Sequence, residues 1–259
     1  MVDVAWSLDG KIALVTGASS GIGSHFSRVL ARHGAAVVLA ARRVDKLNDV
    51  VNSIIREGGK AFAVEMDVSS SESVDAAFAI IANQVGVVDI LINNAGVSGD
   101  AVQLSDVSLD DWDFVMNTNL RGAWIVAKEA SRRLVDAGKS GSIVNISSIY
   151  GLREGVFKLP YNISKAGVAQ LTKTMAAEFS KSKRAIRVNA LCPGFFDTEL
   201  NSEFVNSDYG KKYISKTPAG RLGKLKELDG PLLLLVSEAG SFLNGVLLPV
   251  DGGHVIQPV

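Results

Sequence analysis

Two residues in the second half of the chain have the types and the spacing needed to move a proton. Tyr161 and Lys165 are four positions apart in a stretch, residues 161–179, that is predicted to be helical, so both side chains lie on one helix face, about 6 Å apart along the axis. A free phenol has a pKa of about 10, which is too high for ready proton exchange near neutral pH. A neighbouring ammonium favours the phenolate, and lowering the pKa by about 3 units requires roughly 4 kcal/mol. The pair therefore predicts a tyrosine that acts as general acid or base.

Two serines shortly before this helix are candidates to assist the tyrosine. Ser147 and Ser148 follow an apolar run, and a hydroxyl there can donate a hydrogen bond to a carbonyl oxygen that Tyr161 protonates. Such a donor stabilises the charge that develops on that oxygen during the reaction. Residue type alone leaves open which of the two serines acts.

A glycine-rich loop follows the first apolar run and leads directly into a helical pattern. The loop has the spacing Gly-x-x-x-Gly-x-Gly rather than Gly-x-Gly-x-x-Gly, and its candidate phosphate-binding residues are Gly17, Ser19, Ser20, Gly21, Ile22 and Gly23. Glycines permit a tight turn and a close approach of the backbone to a pyrophosphate, which the helix N-terminus attracts. An ordinary strand-to-helix turn is the alternative interpretation. The position after the first strand of an alternating pattern favours a dinucleotide site.

The residues after the second apolar run indicate which dinucleotide is preferred. A site for NAD usually places a carboxylate about 20 residues after the glycine loop, to bind the ribose 2′-hydroxyl. Here Ala41 is followed by Arg42 and Arg43, and the first carboxylate after the loop is Asp45. An arginine pairs with a phosphate in bidentate geometry, so the pattern favours NADP(H) over NAD(H). Asp45 keeps NAD(H) as the alternative, and solvated arginines that open a helix would explain the same residues.

Short apolar runs alternate with amphipathic stretches along the whole chain, and these elements must position the candidate residues. The predicted strands are residues 12–15, 36–40, 61–64, 88–92, 143–146, 186–191 and 246–250. Runs that are apolar on both faces are typical of strands buried in a parallel sheet, and strand–helix alternation is typical of βαβ units. We therefore expect an α/β fold over residues 1–259, a single doubly wound Rossmann-type domain with about seven parallel strands. The polar and basic segment 197–224 is either a mobile lid or an inert surface excursion.

Composition argues against several other classes of protein. Lys+Arg and Asp+Glu both number 27, and this zero net charge argues against a nucleic-acid-binding protein. The longest apolar run, residues 35–41, is far shorter than the roughly 20 residues of a membrane helix, so no membrane partner is expected. The N-terminus has neither a basic start nor an apolar signal core, which predicts a cytoplasmic location. With one cysteine, Cys192, and three histidines without ligand spacing, we expect no disulfide within the chain and no metal site.

Taken together, the motifs resemble those of the short-chain dehydrogenase/reductase family over residues 8–253. The resemblance rests on the glycine loop, on Asn93-Asn94-Ala95-Gly96, on Ser148 followed by Tyr161-Asn162-Ile163-Ser164-Lys165, and on Pro193-Gly194, in the family's order and spacing. It implies hydride transfer between NADP(H) and a ketone or secondary alcohol, as in carbonyl reductases and 3-ketoacyl-(acyl-carrier-protein) reductases. Lys165 and the positive ring of the oxidised cofactor would jointly lower the pKa of Tyr161.

The same resemblance implies roles for further residues. The family's spacing favours Ser148 over Ser147 as the assisting serine, and the phrase Asn-Leu-x-Gly favours Asn119 over Asn117 as the holder of a water in a proton relay to Lys165. The remaining implied cofactor contacts are Asp67 and Val68 at the adenine, Asn94, Ala95 and Gly96 at the adenosine and ribose, and Pro193, Gly194, Phe196 and Thr198 around the nicotinamide carboxamide.

We expect residues 149–159 and segment 197–224 to determine which substrate binds. The sequence of these two segments does not by itself identify that substrate. A small-molecule ketone, a β-ketoacyl thioester, and a sugar-derived or alicyclic alcohol all fit. An NAD(H)-dependent secondary alcohol or polyol dehydrogenase is the alternative enzyme. A nucleotide-sensing regulatory protein without turnover is the alternative from another class. The family resemblance also implies a homotetramer or homodimer, assembled through residues 108–136 and 160–181 and the C-terminal strand.

Overall fold

Seven parallel strands form one sheet, and the strand order reverses in the middle of it. The computed structural model describes residues 4–182, 184–199 and 202–256. Its strands are β1 (Ile12–Thr16), β2 (Ala36–Ala41), β3 (Lys60–Glu65), β4 (Ile90–Asn93), β5 (Gly141–Ile146), β6 (Ile186–Pro193) and β7 (Leu247–Val250). All neighbouring pairs are parallel, in the order β3-β2-β1-β4-β5-β6-β7. The predicted doubly wound α/β fold is confirmed, and each predicted strand differs from the observed one by at most two residues at either end.

Helices cover both faces of the sheet. They are α1 (Gly21–Arg32), α2 (Val44–Arg56), α3 (Ser71–Gln84), α4 (Leu109–Met116), α5 (Gly122–Asp136), α6 (Leu159–Lys181), α7 (Ser202–Asn206), α8 (Asp208–Ser215) and α9 (Asp229–Val236). Side chains of α1, α2 and α9 share one hydrophobic core, and those of α3, α5 and α6 share the other. In β1, Ala13 and Val15 face the first core and Leu14 the second, as strand alternation requires. The central strands are therefore apolar on both faces because both are buried.

The reversal of strand order between β1 and β4 determines where a ligand can bind. In open α/β sheets, ligands bind at the carboxyl ends of the strands, in the crevice at the point of reversal. The glycine loop follows β1, Asn94 follows β4, Ser147 follows β5 and Gly194 follows β6. These four segments are far apart in the sequence, and the sheet brings them to one edge.

One helical distortion lies beside this edge. Residues Asn117–Arg121 form a π-helical segment between α4 and α5, and Asn119 is buried within it. Such π-bulges are frequent at functional sites, because the extra residue redirects side chains and backbone groups. The distortion turns the Asn119 side chain toward the loop that follows β4.

The segment that follows β6 leaves the sheet and later returns to it. It contains α7 and α8, and a parallel bridge joins Phe196 to Gly223, where the Gly223 N–H donates to the Phe195 carbonyl at 2.9 Å. Residues 200 and 201 of segment 197–224 lie outside the described residues, and the described part of the segment forms a loop with a closed base beside the strand ends. Its interpretation as a lid stays a prediction. Within the described residues, no helix has the length and apolar character needed to cross a membrane.

Candidate active site

The glycine loop is packed too tightly for side chains at two of its glycines. A Cβ on Gly17, whose φ is +63°, would stand 2.8 Å from the Cα of Ala95. A Cβ on Gly23 would stand 2.5 Å from both the Asn94 amide nitrogen and the Gly17 carbonyl oxygen. Real Cβ atoms do not approach other atoms this closely, so both positions require glycine. The close packing holds the loop against the segment that follows β4.

Asn94 and Ala95 hold the loop through hydrogen bonds. The Asn94 side-chain amide donates to the carbonyls of Thr16 at 2.9 Å and Gly17 at 3.2 Å, and the backbone N–H groups of Asn94 and Ala95 both donate to the Thr16 hydroxyl at 3.0 Å. These two residues were predicted as cofactor contacts. The structure gives them a clear positioning role in the phosphate loop.

The N-terminus of α1 is suited to an anion. Ser20 is its N-cap in an extended conformation, its side chain does not cap the helix, and the first turn contains no acidic residue. The first amide groups of a helix carry partial positive charge and attract phosphates when no side chain occupies them. Among the described residues, a Cβ on Gly21 would have only the Thr198 side chain near it, at 3.6 Å. The loop therefore fits a dinucleotide pyrophosphate. Thr198 lies next to the loop, and its predicted contact with the nicotinamide carboxamide stays a prediction.

The two arginines after β2 differ in their surroundings. Arg43 donates to the Ser19 hydroxyl at 2.9 Å and to the Ser20 hydroxyl at 3.0 Å. Arg42 is exposed, and its charge helps to lower the pKa of Asp67, although the main cause is the hydrogen bond from the Ser69 hydroxyl. Both arginines thus border the predicted nucleotide site, one on the glycine loop and the other on the Asp67 side.

Arg121 is a neighbour of this site that sequence reasoning missed. Its guanidinium donates to the Ser69 carbonyl at 2.7 Å, and it lines a pocket together with Arg42, Asn117 and Thr118. Val68 is buried on the same side, where a Cβ on Gly122 would meet its side chain at 2.8 Å. The position of Arg121 two residues after Asn119, in the Asn-Leu-x-Gly phrase, is the sequence signal that could have found it.

The predicted catalytic side chains meet at the ends of β4 and β5. The buried Lys165 ammonium donates to the Ile146 carbonyl at 2.8 Å and lies 5.6 Å from the centre of the Tyr161 ring. Ser148 forms a hydrogen bond with the Tyr161 phenol. A Cβ on Gly96 would lie 3.4 Å from the Lys165 amine, so a glycine at this position leaves the lysine room.

Two alternatives left open by residue type are separated by the geometry. The buried Ser147 hydroxyl donates to the Lys165 carbonyl at 2.8 Å and so holds the catalytic helix, whereas Ser148 faces the phenol. Asn117 lies with Arg42 in the pocket beside Ser69, whereas the Asn119 side chain reaches the catalytic helix. The structure therefore brings Ser148 and Asn119 close to Tyr161 and Lys165, and their predicted catalytic roles stay predictions.

Both the oxygen and the nitrogen of the Asn119 carboxamide form hydrogen bonds with other groups of the protein. Its oxygen accepts from the Val97 N–H at 2.8 Å, and its amide donates to the Val97 carbonyl at 2.9 Å and to the Ser164 hydroxyl at 3.0 Å. These bonds join the π-helical segment to the loop after β4 and to α6. The predicted water relay stays a prediction, and the contacts in this structure hold Asn119 between Val97 and Ser164.

Burial controls the proton affinities of the catalytic pair. It lowers the pKa of Lys165 to about 8, because the ammonium is removed from water. It also raises the pKa of the Tyr161 phenol, and the hydrogen bond with Ser148 opposes that rise only in part. In this structure burial has the larger effect on the phenol, and the joint lowering of its pKa by Lys165 and the oxidised cofactor stays a prediction.

The segment after β6 completes this edge. Pro193 ends β6, the Gly194 N–H donates to the Val250 carbonyl at 3.0 Å, and a Cβ on Gly194 would meet the Asp251 Cα at 2.8 Å. Phe196 is buried and paired with Gly223. The Phe196 ring therefore packs into the protein, and its backbone is the part that lies along the edge.

A cluster of aromatic side chains borders the catalytic groups on the side of α7 and α8. Tyr150, two residues after Ser148, packs edge-on against Phe195, which stacks on Phe204 with ring centres 5.2 Å apart. The Tyr213 hydroxyl forms hydrogen bonds with Tyr150 and, at 3.0 Å, with the Nε2 atom of His254. This wall combines ring faces with hydroxyl and imidazole groups, so it can contact both apolar and hydroxylated molecules.

The fold and the site together are those of a dinucleotide-dependent oxidoreductase. A family model described as enoyl-(acyl carrier protein) reductase matches residues 17–254. The chain is 40% identical over 255 residues to a gluconate 5-dehydrogenase of Gluconobacter oxydans, with 97% of each protein covered. It is 36% identical over 247 residues to a 3-oxoacyl-[acyl-carrier-protein] reductase of Aquifex aeolicus, covering 95% of this chain and 98% of that one.

A solved structure agrees with this similarity. The gluconate 5-dehydrogenase from Burkholderia cenocepacia, in complex with NADP and tartrate, superposes with a TM-score of 0.93 at 36% identity and covers 98% of this chain and 99% of that chain. The protein belongs to the short-chain dehydrogenase/reductase family, as its motifs predict. The family uses NAD(P) as its cofactor.

Proposed function

We propose that this protein is an NADP(H)-dependent oxidoreductase that interconverts a ketone and a secondary alcohol. The observation that carries this proposal is the contact of Tyr161 with Ser148, beside the buried ammonium of Lys165. A positioned proton donor, a hydrogen-bond donor for the developing oxyanion and a nearby cation are the parts that carbonyl reduction needs. The bound nicotinamide would supply or accept the hydride.

The protein's own residues would handle the proton. Tyr161 would donate its phenolic proton to the carbonyl oxygen during reduction, and would remove a proton from the alcohol oxygen in the reverse direction. Ser148 would donate a hydrogen bond to the same oxygen. Because burial raises the pKa of Tyr161, the phenol is protonated at neutral pH. It can therefore donate a proton directly in the reduction direction. Lys165, with its pKa near 8, is mostly an ammonium at neutral pH and would stabilise the phenolate that remains.

The preference for NADP(H) over NAD(H) is supported by Arg42 and Arg43. Arg43 spans the serines of the glycine loop, and Arg42 lies on the Asp67 side of the same site. A ribose 2′-phosphate there would form charge-assisted hydrogen bonds with the two guanidinium groups. The uncharged 2′-hydroxyl of NAD(H) would form only weaker hydrogen bonds. The Burkholderia relative was crystallised with NADP, which is consistent with this choice.

Two substrate classes are supported by particular observations. A hydroxylated keto acid fits the hydroxyl and imidazole groups of Tyr150, Tyr213 and His254, and the gluconate 5-dehydrogenases are relatives. A β-ketoacyl thioester fits the ring faces of Phe195 and Phe204, and a 3-oxoacyl reductase is also a relative. NADPH oxidation with 5-ketogluconate and with an acetoacetyl thioester, tested side by side, separates the two classes.

Assembly into a homo-oligomer is part of this proposal. Trp124 on α5 and Phe114 on α4 are each almost half exposed, at 46% and 47%. Large aromatic side chains in contact with water favour burial against another subunit. A homotetramer or homodimer formed through these helices would cover them.

The test of the catalytic assignment is Tyr161→Phe, with Tyr209→Phe as a matched control on an exposed tyrosine of α8. We expect the first variant to lose about 10²- to 10⁴-fold in turnover while still binding NADPH, because only the proton donor is removed. The control should behave as the unmodified protein. A Tyr161→Phe variant that keeps more than about a tenth of the activity would show that another group is the acid. Tight NADPH binding without turnover on any ketone would instead favour a nucleotide sensor.

A further inference from the structure

A carboxylate from the segment after β6 lies against the basic side of the glycine loop. Glu199 pairs with the Arg43 guanidinium at 3.4 Å and with the Lys46 ammonium at 3.5 Å, and it forms a hydrogen bond with Ser20. Arg43 and Lys46 lie at the start of α2, and Ser20 is the N-cap of α1. Glu199 is more than 150 residues away from these partners in the sequence, so only the fold brings them together.

One of these partners, Arg43, is an arginine that we propose for the ribose 2′-phosphate, and Lys46 adds a second cation beside it. Arg43 already spans the hydroxyls of Ser19 and Ser20, so its guanidinium is held at the mouth of the nucleotide site. Two cations and a hydroxyl around one oxygen anion are typical of a phosphate-binding site. In this structure the anion at this point is the Glu199 carboxylate.

The carboxylate is ionised but weakly held. The Ser20 hydrogen bond, followed by the charges of Lys46 and Arg43, lowers the pKa of Glu199, so it is charged at neutral pH. Its side chain is 59% exposed and both ion pairs are long. Exposed ion pairs contribute little to stability, so an incoming phosphate can displace the carboxylate. The Glu199 carboxylate therefore competes with an incoming phosphate for the two cations but does not block the phosphate from binding.

We propose that Glu199 is a cofactor-specificity residue, whose carboxylate competes with the ribose 2′-phosphate of NADP(H) for Arg43 and Lys46. This inference rests on the proposed use of NADP(H). The carboxylate lowers the affinity for a 2′-phosphorylated nucleotide and leaves the affinity for an unphosphorylated ribose nearly unchanged. Removing it therefore increases the preference for NADP(H).

Binding of adenosine 2′,5′-bisphosphate and of 5′-ADP to the nucleotide-free protein, measured by isothermal titration calorimetry, tests the proposal without requiring turnover. In Glu199→Gln we expect the bisphosphate to bind about two- to ten-fold more tightly, since two exposed ion pairs no longer compete. The affinity for 5′-ADP should change by less than about two-fold. The matched control is Glu203→Gln, which removes the same charge from α7, where the carboxylate acts on Lys158. This control should bind both nucleotides as the unmodified protein does.

A second background isolates the competition itself. In Arg43→Ala/Lys46→Ala, adding Glu199→Gln should leave bisphosphate binding unchanged, since the cations over which the two anions compete are gone. An unchanged or weaker bisphosphate affinity in Glu199→Gln alone would overturn the proposal. An equal gain for both nucleotides would also overturn it, because Glu199 would then compete with the 5′-phosphate that both nucleotides share.

The same titrations separate this inference from the proposed cofactor. When they are repeated with NADH and NADPH, which differ only in the 2′-phosphate, stronger binding of NADH in both proteins would contradict the use of NADP(H) and the inference with it. A clear preference for the bisphosphate that is identical in the unmodified protein and in Glu199→Gln would overturn only the role of Glu199.

Discussion

Replacing Lys165 with methionine should make the protein more stable near neutral pH while removing its activity. Lys165 is buried, with 5% of its surface exposed, so the folded protein holds an ammonium away from water. Methionine has a similar length and no charge, so it fills the same space without that desolvation cost. Groups needed for activity often lower the stability of the folded protein, and we expect Lys165 to do so.

The magnitude follows from the pKa of the lysine. Burial lowers that pKa from 10.5 to about 8, which at about 1.4 kcal/mol per unit corresponds to about 3 kcal/mol of destabilisation while the lysine is charged. The methionine variant also loses the hydrogen bond to the Ile146 carbonyl, worth about 1 kcal/mol. We therefore expect the free energy of unfolding to rise by about 2 kcal/mol at pH 7.

The pH dependence has a definite sign. Below pH 8 the lysine is charged in both the folded and the unfolded state, so the full cost of burial is present. Between pH 8 and 10.5 the unfolded chain keeps the proton that the folded protein has released, so the stability of the unmodified protein rises with pH relative to the variant. The advantage of Lys165→Met should shrink over this range and disappear by its upper end.

Urea denaturation of the nucleotide-free protein at a fixed protein concentration, from pH 6.5 to 10, measures this difference. The matched control is Lys173→Met, which replaces an exposed lysine two turns further along α6 and should change the stability little at any pH. A Lys165→Met variant that is no more stable than the unmodified protein at pH 7 would refute the reasoning. So would a gain in stability that does not vary with pH, because the lysine would then be neutral already.

Three further expectations concern the cofactor site and the assembly. Gly23→Ala should weaken NADPH binding by at least about ten-fold in a fluorescence titration, because its Cβ would stand 2.5 Å from the Gly17 carbonyl; Gly230→Ala, with nothing within 4 Å, is the control. Ala41→Asp combined with Arg42→Ala should lower the ratio of NADPH to NADH catalytic efficiencies by about ten-fold or more, because the carboxylate repels the phosphate and accepts from the ribose hydroxyls. A ratio that does not change would mean that Arg42 only faces solvent. Light scattering at micromolar concentration should give the mass of a dimer or tetramer, and a monomer would remove the proposed assembly.

Local sequence patterns were sufficient to predict the architecture and to bring the candidate pair Tyr161 and Lys165 together. Strands buried on both faces must be apolar at successive positions, so the runs around Val15, Leu39 and Ile146 predict a doubly covered parallel sheet without any knowledge of its contacts. The spacing of Tyr161 and Lys165 is equally local, since helical geometry alone places residues four apart on one face. The carboxyl ends of parallel strands share one edge, so the motifs after the strands could be predicted to meet there.

Tertiary structure alone decided how the candidate groups behave. Whether an ammonium lowers the pKa of Tyr161 depends on how much water surrounds the phenol, and here burial raises that pKa instead. The side chain of Asn119 forms hydrogen bonds with Val97 and Ser164, which are 22 and 45 residues away in the sequence. Glu199 reaches Arg43 across 156 residues. Solvation and long-range pairing depend on which segments pack side by side, and periodicity within any one segment carries no information about that.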